Sequence, residues 1–99
     1  MGKVVLRDIT DDPSRYDQSL LVLVPKAEDL GPETEVTLQE SKWPRLPVPD
    51  GMRLMFDIET LAMVMRAWRK HANGREPSPS QAASAVAHYD KYDAFIDPS

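Results

Sequence analysis

The apolar positions of this chain change their period about half way along. Up to residue 56 they come as short runs or alternate with polar residues, and from residue 57 they recur every three to four. Leu20-Leu21-Val22-Leu23-Val24 is an unbroken aliphatic run closed by Pro25, too short for a helix and bounded as a central strand is. Glu35-Val36-Thr37-Leu38-Gln39 alternates polar and apolar residues, as a half-buried strand does. Asp50-Gly51 signals a turn into a third strand, Met52-Arg53-Leu54-Met55-Phe56. Ahead of these, Lys3 to Ile9 is open to a strand or a short helix with Val5 and Ile9 on one face. The helix is the preferred reading, stopped by Asp11-Asp12-Pro13-Ser14 because proline cannot continue it.

The helical half is marked by its ends as well as its period. Asp57 predicts an N-cap, since its carboxylate can accept from an unpaired backbone N–H of the first turn, and Glu59 suits the positive end of the helix dipole. Leu61, Val64, Met65, Trp68 and Ala72 then stand at i, i+3, i+4, i+7 and i+11, one face of an amphipathic helix. Asn73-Gly74 ends it, with Gly74 free to turn left-handed. Ser78-Pro79-Ser80-Gln81 combines an N-cap serine, proline at the first helical position and glutamine at the third, a capping box. The inward face of this last helix is expected to carry Ala82, Ala85, Val86, Tyr89 and Tyr92, with Phe95 and Ile96 packing behind it. The expected fold is α+β: a small three-stranded, mainly antiparallel sheet with two C-terminal helices packed on one face, preceded by a short N-terminal helix. Lys42 to Gly51 holds Pro44, Pro47 and Pro49, and alternate prolines predict a stiff extended loop inside the domain.

Composition bounds this picture. The chain has 99 residues, 41% of them hydrophobic and 28% charged, which fits one globular domain over residues 1–99 and excludes a two-domain reading. With no cysteine, a disulfide framework, a thiolate nucleophile and a Cys-ligated metal are excluded. Met1-Gly2-Lys3-Val4-Val5-Leu6-Arg7 reaches a charge after three apolar residues, short of a signal-peptide core. No apolar run approaches the ~20 residues of a spanning helix, so a cytoplasmic protein without membrane contact is expected. The net charge of −4 lies wholly in residues 1–50, where six Lys/Arg face ten Asp/Glu; residues 51–99 hold six of each. That balance works against nucleic-acid binding, which depends on neutralising phosphates.

Three surfaces stand out as candidates. Arg66, Arg69, Lys70, His71 and Arg75 form a basic cluster. At ~100° per residue, Arg66 and Lys70 lie away from the Leu61/Trp68 stripe, with Met63 and Ala67 beside them. Cations near a helix C-terminus are also favoured by its dipole, so a solvated helix end explains the cluster equally. Glu28, Asp29, Glu33, Glu35 and Glu40 form an acidic stretch of complementary sign. Trp43 to Pro49 contains Pro-x-x-P, a docking pattern that also arises by chance; Trp43 and Leu46 read as buried anchors and Arg45 as an exposed contact. Asp90, Asp93 and Asp97 follow at helical spacings near His88 but match no calcium-loop pattern. No metal or cofactor is expected. His71 and His88 sit in no catalytic pattern, and the four glycines form no phosphate loop.

Trp43-Pro44, Pro49-Asp50-Gly51-Met52 and Tyr89-Asp90-Lys91-Tyr92-Asp93-Ala94-Phe95-Ile96 resemble a family of small uncharacterised bacterial proteins, in which an Ala- and Tyr-rich helix runs into an Asp-Ala-Phe-Ile ending. The resemblance spans roughly residues 35–96, with His88 standing where the family favours an aromatic. It implies a bacterial cytoplasmic protein and carries no catalytic residues across.

The functional expectation is a non-enzymatic protein–protein interaction module, inhibitor or immunity proteins being one version. It would contact a protein partner through Met63, Arg66, Lys70, Glu33, Glu35, Trp43 and Arg45. The alternative is a small-molecule or enzymatic domain with a pocket between sheet and helices, lined by Trp68, Tyr89, Tyr92 and His88. A homodimer is compatible with either, Met63 and Ala67 offering a modest apolar seam.

Overall fold

The structure, a computed structural model, describes residues 4–26, 29–41 and 47–96. Its elements run β1 (Val4–Val5), α1 (Leu6–Asp11), a 3-10 turn (Pro13–Arg15), β2 (Leu21–Pro25), β3 (Glu35–Gln39), β4 (Met52–Asp57), α2 (Ile58–His71) and α3 (Pro79–Tyr92). The α+β class and the antiparallel pairing are as expected, but the sheet has four strands, in the order β1-β3-β2-β4.

The fourth strand corrects the reading of residues 3–9. Val4 and Val5 are extended and pair with Val36 and Glu35, as suits β-branched side chains that find a partner strand. The helix starts only at Leu6, because the loop before β3 supplies acceptors there: Leu6 N–H donates to Thr34 O at 2.8 Å and Arg7 N–H to Pro32 O at 2.9 Å. The Asp8 carboxylate accepts from Val5 N–H at 3.0 Å, and Asp12, which accepts from Ser14 N–H at 3.2 Å, caps the turn begun by Pro13.

The two long helices begin and end as their sequences dictate. Asp57 Oδ1 accepts from Thr60 N–H at 2.8 Å, and the first two N–H groups of α2 donate to Leu20 O and Gln18 O, which seats the helix on the strand entry. Ser78 and Gln81 close their box reciprocally at 3.1 and 2.9 Å. Asn73 (φ 58°) and Gly74 (φ 83°) both turn left-handed after α2, and Asp93 (φ 54°) does so after α3.

One core joins the layers. Val22, Val24 and Val36 from the sheet meet Leu6 and Ile9 of α1, Ile58, Leu61, Val64, Met65 and Trp68 of α2, and Ala82, Ala83, Ala85 and Val86 of α3. Three helices, not two, therefore share that core. The buried alanines let α3 come close to both α1 and α2, which it contacts. Tyr92 was expected inward but is 58% exposed; it stands two turns beyond buried Ala85 on nearly the same face, past the end of the core that α3 packs on. Phe95, 45% exposed, packs only its ring against Tyr89, at 5.3 Å between centroids, while Ile96 reaches the core margin.

An irregularity in β4 fixes how α3 attaches. Val24 pairs with Arg53 and Leu23 with Leu54, but Val22 pairs with Phe56, so Met55 is an extra residue. In a regular strand, positions 53 and 56 would point to opposite faces; the bulge turns both toward α3. Arg53 reaches Asp90 through two hydrogen bonds, of 3.1 and 2.6 Å, and Phe56 meets Tyr89 edge-on at 5.8 Å.

Candidate functional site

Two adjoining clefts open where α1 faces α2 and the start of α3. The larger, about 370 Å³, is lined by Arg7, Asp8, Thr10 and Asp11 on one side and by Arg69, Glu76, Pro77, Pro79 and Ala82 on the other. The smaller, about 290 Å³, continues past Asp11, Asp12, Pro13, Ser14 and Gln18 against Ala62, Arg66 and Arg69. Asp11 and Arg69 border both, so the two clefts adjoin at these side chains and make up a groove in two parts.

Local chemistry holds its walls. Gln18 Nε2 donates to Pro13 O and to Tyr16 O, each at 3.0 Å, and so fixes the 3-10 turn. Thr10 is buried, its hydroxyl donating to Arg7 O at 3.3 Å. On α2 the groove follows the flank between the buried stripe and the solvent side, at Ala62, Arg66 and Arg69. Arg69 is held there by Glu76, whose Oε2 lies 3.1 Å from its Nε across the turn between α2 and α3. Arg7 leans the other way, 3.1 Å from Glu33.

The charges are therefore unevenly satisfied. The Asp12 carboxyl lies below the ordinary carboxylate range, chiefly because the Ser14 hydroxyl donates to it, with Ser14 N–H and the Arg15 charge adding to the effect against some desolvation. Asp11 and Arg66, exposed on facing elements, have no side-chain hydrogen bond or ion pair among the described residues, not even with each other. Outside the groove, Asp90 holds the Arg53 guanidinium above its usual value by hydrogen bonding, despite partial desolvation.

Among the residues proposed from sequence, Arg66 lies in this groove. Lys70 is exposed one helical turn along, and Met63 is half-buried beside these two on the same side of α2, lining neither cleft. Glu33 pairs with Arg7 at the end of the groove, and exposed Glu35 stands opposite Val5 in the sheet. Trp43 and Arg45 lie outside the described residues. The aromatic set is dispersed: Trp68 is a core side chain, 4% exposed, Tyr89 is wedged between Phe56 and Phe95, and His88 stacks on exposed Tyr92 at 4.7 Å. None of these four lines either cleft. Asp90, grouped by spacing with Asp93, is engaged by Arg53, and Asp97 is outside the described residues. No group of three His, Asp or Glu suited to a metal ion occurs among the described residues, and no helix among them is long and apolar enough to cross a membrane.

Arg7, Asp11 and Glu76 enter the groove without a signal in local spacing, whereas Arg69 belongs to the basic cluster read from the sequence. Arg69 and Glu76 are separated by the helix-ending turn, and Arg7 and Asp11 reach the site only because α1 packs against α3. Comparison with known proteins finds no matching family model, no similar curated protein and no similar solved structure.

Proposed function

We propose that the chain is a non-enzymatic protein–protein interaction module that engages its partner through the exposed side of α2 and the adjoining groove. The observation that carries this reading is the pairing state of α2: Arg66 and Lys70 stand exposed one turn apart, without a partner among the described residues, beside an open cleft. Desolvating such charges against complementary ones steers association and fixes its register. The aromatic-pocket alternative has less support, because its four residues are spent on core packing and on a surface stack. An inhibitor or immunity protein of the bacterial cytoplasm, the setting implied by the resemblance to the small bacterial family, is one version of this role.

Native capture from the source cell with the tagged full-length chain tests the reading, with the double reversal Arg66→Glu and Lys70→Glu as control. One abundant partner retained by the parent chain and lost by the variant is the expected result. Capture that is identical for both chains, or no capture at all, would refute it.

A further inference from the structure

The groove also indicates what kind of segment would lie in it. Ala62, Pro13, Ala82 and Pro77 add small apolar patches to its otherwise mainly polar lining. On α2 it extends from Ala62 to Arg69, seven residues, about 10 Å of helix; beyond Arg69 it widens toward Glu76. A stretch of 10 Å is filled by about three residues of extended chain. Two charges border it without partners among the described residues, the carboxylate of Asp11 on α1 and the guanidinium of Arg66 on α2. The other cations and anions of the walls are already engaged: Arg7 by Glu33, Arg69 by Glu76, Asp12 by Ser14 and Arg15, and Asp8 by Val5 N–H. Arg69, which borders both clefts, spends only its Nε on Glu76 and so keeps its Nη groups as further donors.

We propose that the groove is a docking site for an extended segment of a partner protein that carries one basic and one acidic side chain. The basic side chain meets Asp11, the acidic one meets Arg66, and a backbone carbonyl between them accepts from Arg69. A segment of a single charge sign satisfies only one of the two open groups and leaves its own excess charge beside a like one. This inference rests on the interaction reading and narrows it to one surface and one ligand chemistry.

The test is an amide-resolved NMR titration of the full chain with capped pentapeptides. The probes are Ala-Lys-Ala-Glu-Ala, its reverse Ala-Glu-Ala-Lys-Ala, and Ala-Gln-Ala-Gln-Ala. At least one of the two charged orders should give saturable shifts confined to residues 7–18, 62–69 and 76–82, and the neutral peptide should not saturate. Asp11→Asn and Arg66→Gln should each weaken binding about three- to fivefold, the upper part of the range of an exposed ion pair. Both residues are exposed, and the spectrum of each variant shows directly that it folds. Shifts scattered over the surface, equal binding of the neutral peptide, or variants that bind like the parent would overturn the proposal. A captured partner that is lost on reversal at Lys70 and Arg66, but is neither displaced by the charged peptides nor weakened by Asp11→Asn, would overturn the groove while leaving the interaction reading standing. Peptide binding in the groove with no protein captured would do the reverse.

Discussion

Removing Asp90 should cost more than removing any other charged residue on α3. Its carboxylate is 15% exposed and takes both Nη groups of Arg53, which is 37% exposed, at 3.1 and 2.6 Å. A charge-assisted hydrogen bond contributes about 1.5–3 kcal/mol and an exposed ion pair about 0.2–1. Because an orphaned Arg53 could turn partly into water, the expected loss for Asp90→Asn lies between these, at about 1–2 kcal/mol. For a domain of this size each kcal/mol lowers Tm by about 4–8 °C. The check is a double-mutant cycle with Arg53→Met, Asp90→Leu and the pair together, read by urea unfolding through Trp fluorescence. Trp68, 4% exposed, makes the signal sensitive to loss of the core. The coupling energy should be about 1 kcal/mol and should largely survive 1 M salt, where the Debye length is ~3 Å and solvated pairs are screened. A coupling under about 0.3 kcal/mol, or one abolished by salt, would show that the pair is an ordinary surface bridge and that α3 is held by its apolar contacts alone.

Two further outcomes follow from backbone and capping geometry. Gly74 has φ 83° and open space where a Cβ would go, so Gly74→Ala should lose about 1 kcal/mol from backbone strain alone, measured as a urea midpoint shift with unchanged m; no loss would mean the turn relaxes out of the left-handed region. For Asp12 the folded pKa is below the unfolded one. Its stabilising effect is therefore complete above the ordinary carboxylate range and is lost as pH falls through that range and then through the lower folded value. The stability gap between the parent and Asp12→Ala should accordingly be widest near neutral pH and close on acidification, and a gap independent of pH would contradict the assignment.

How much of this was legible in the sequence depended on the range over which each feature is decided. Ser78 and Gln81, or Asp57 and Thr60, settle their hydrogen bonds within three residues, so spacing alone predicts them. The Leu61 to Ala72 stripe needs only the helical period. By contrast, Val4-Val5 is extended because Val36 and Glu35 lie beside it, some thirty positions away, and a two-residue strand has no period to read. The bulge at Met55 likewise follows from what β4 must meet on each side: Val22 in the sheet and Asp90 in α3. Tyr92 misled because the helix is regular up to that residue while the core it packs on is not that long. The candidate site divides the same way. Arg66 was visible as a cation off the apolar stripe, whereas its carboxylate counterpart, Asp11, comes into place only through the docking of α1.

The extra residue in β4 has one more effect, on how this protein meets copies of itself. A sheet ends in two strands with one side unpaired, and long, straight ones invite another chain to add on. Here one end of the sheet is β1, only two residues long, and the other is β4, interrupted by its bulge. A second β4 laid alongside would fall out of step with its hydrogen-bonding groups after three residues. Edge-to-edge growth is thereby disfavoured at both ends of the sheet, so two copies have no long straight strand to pair through.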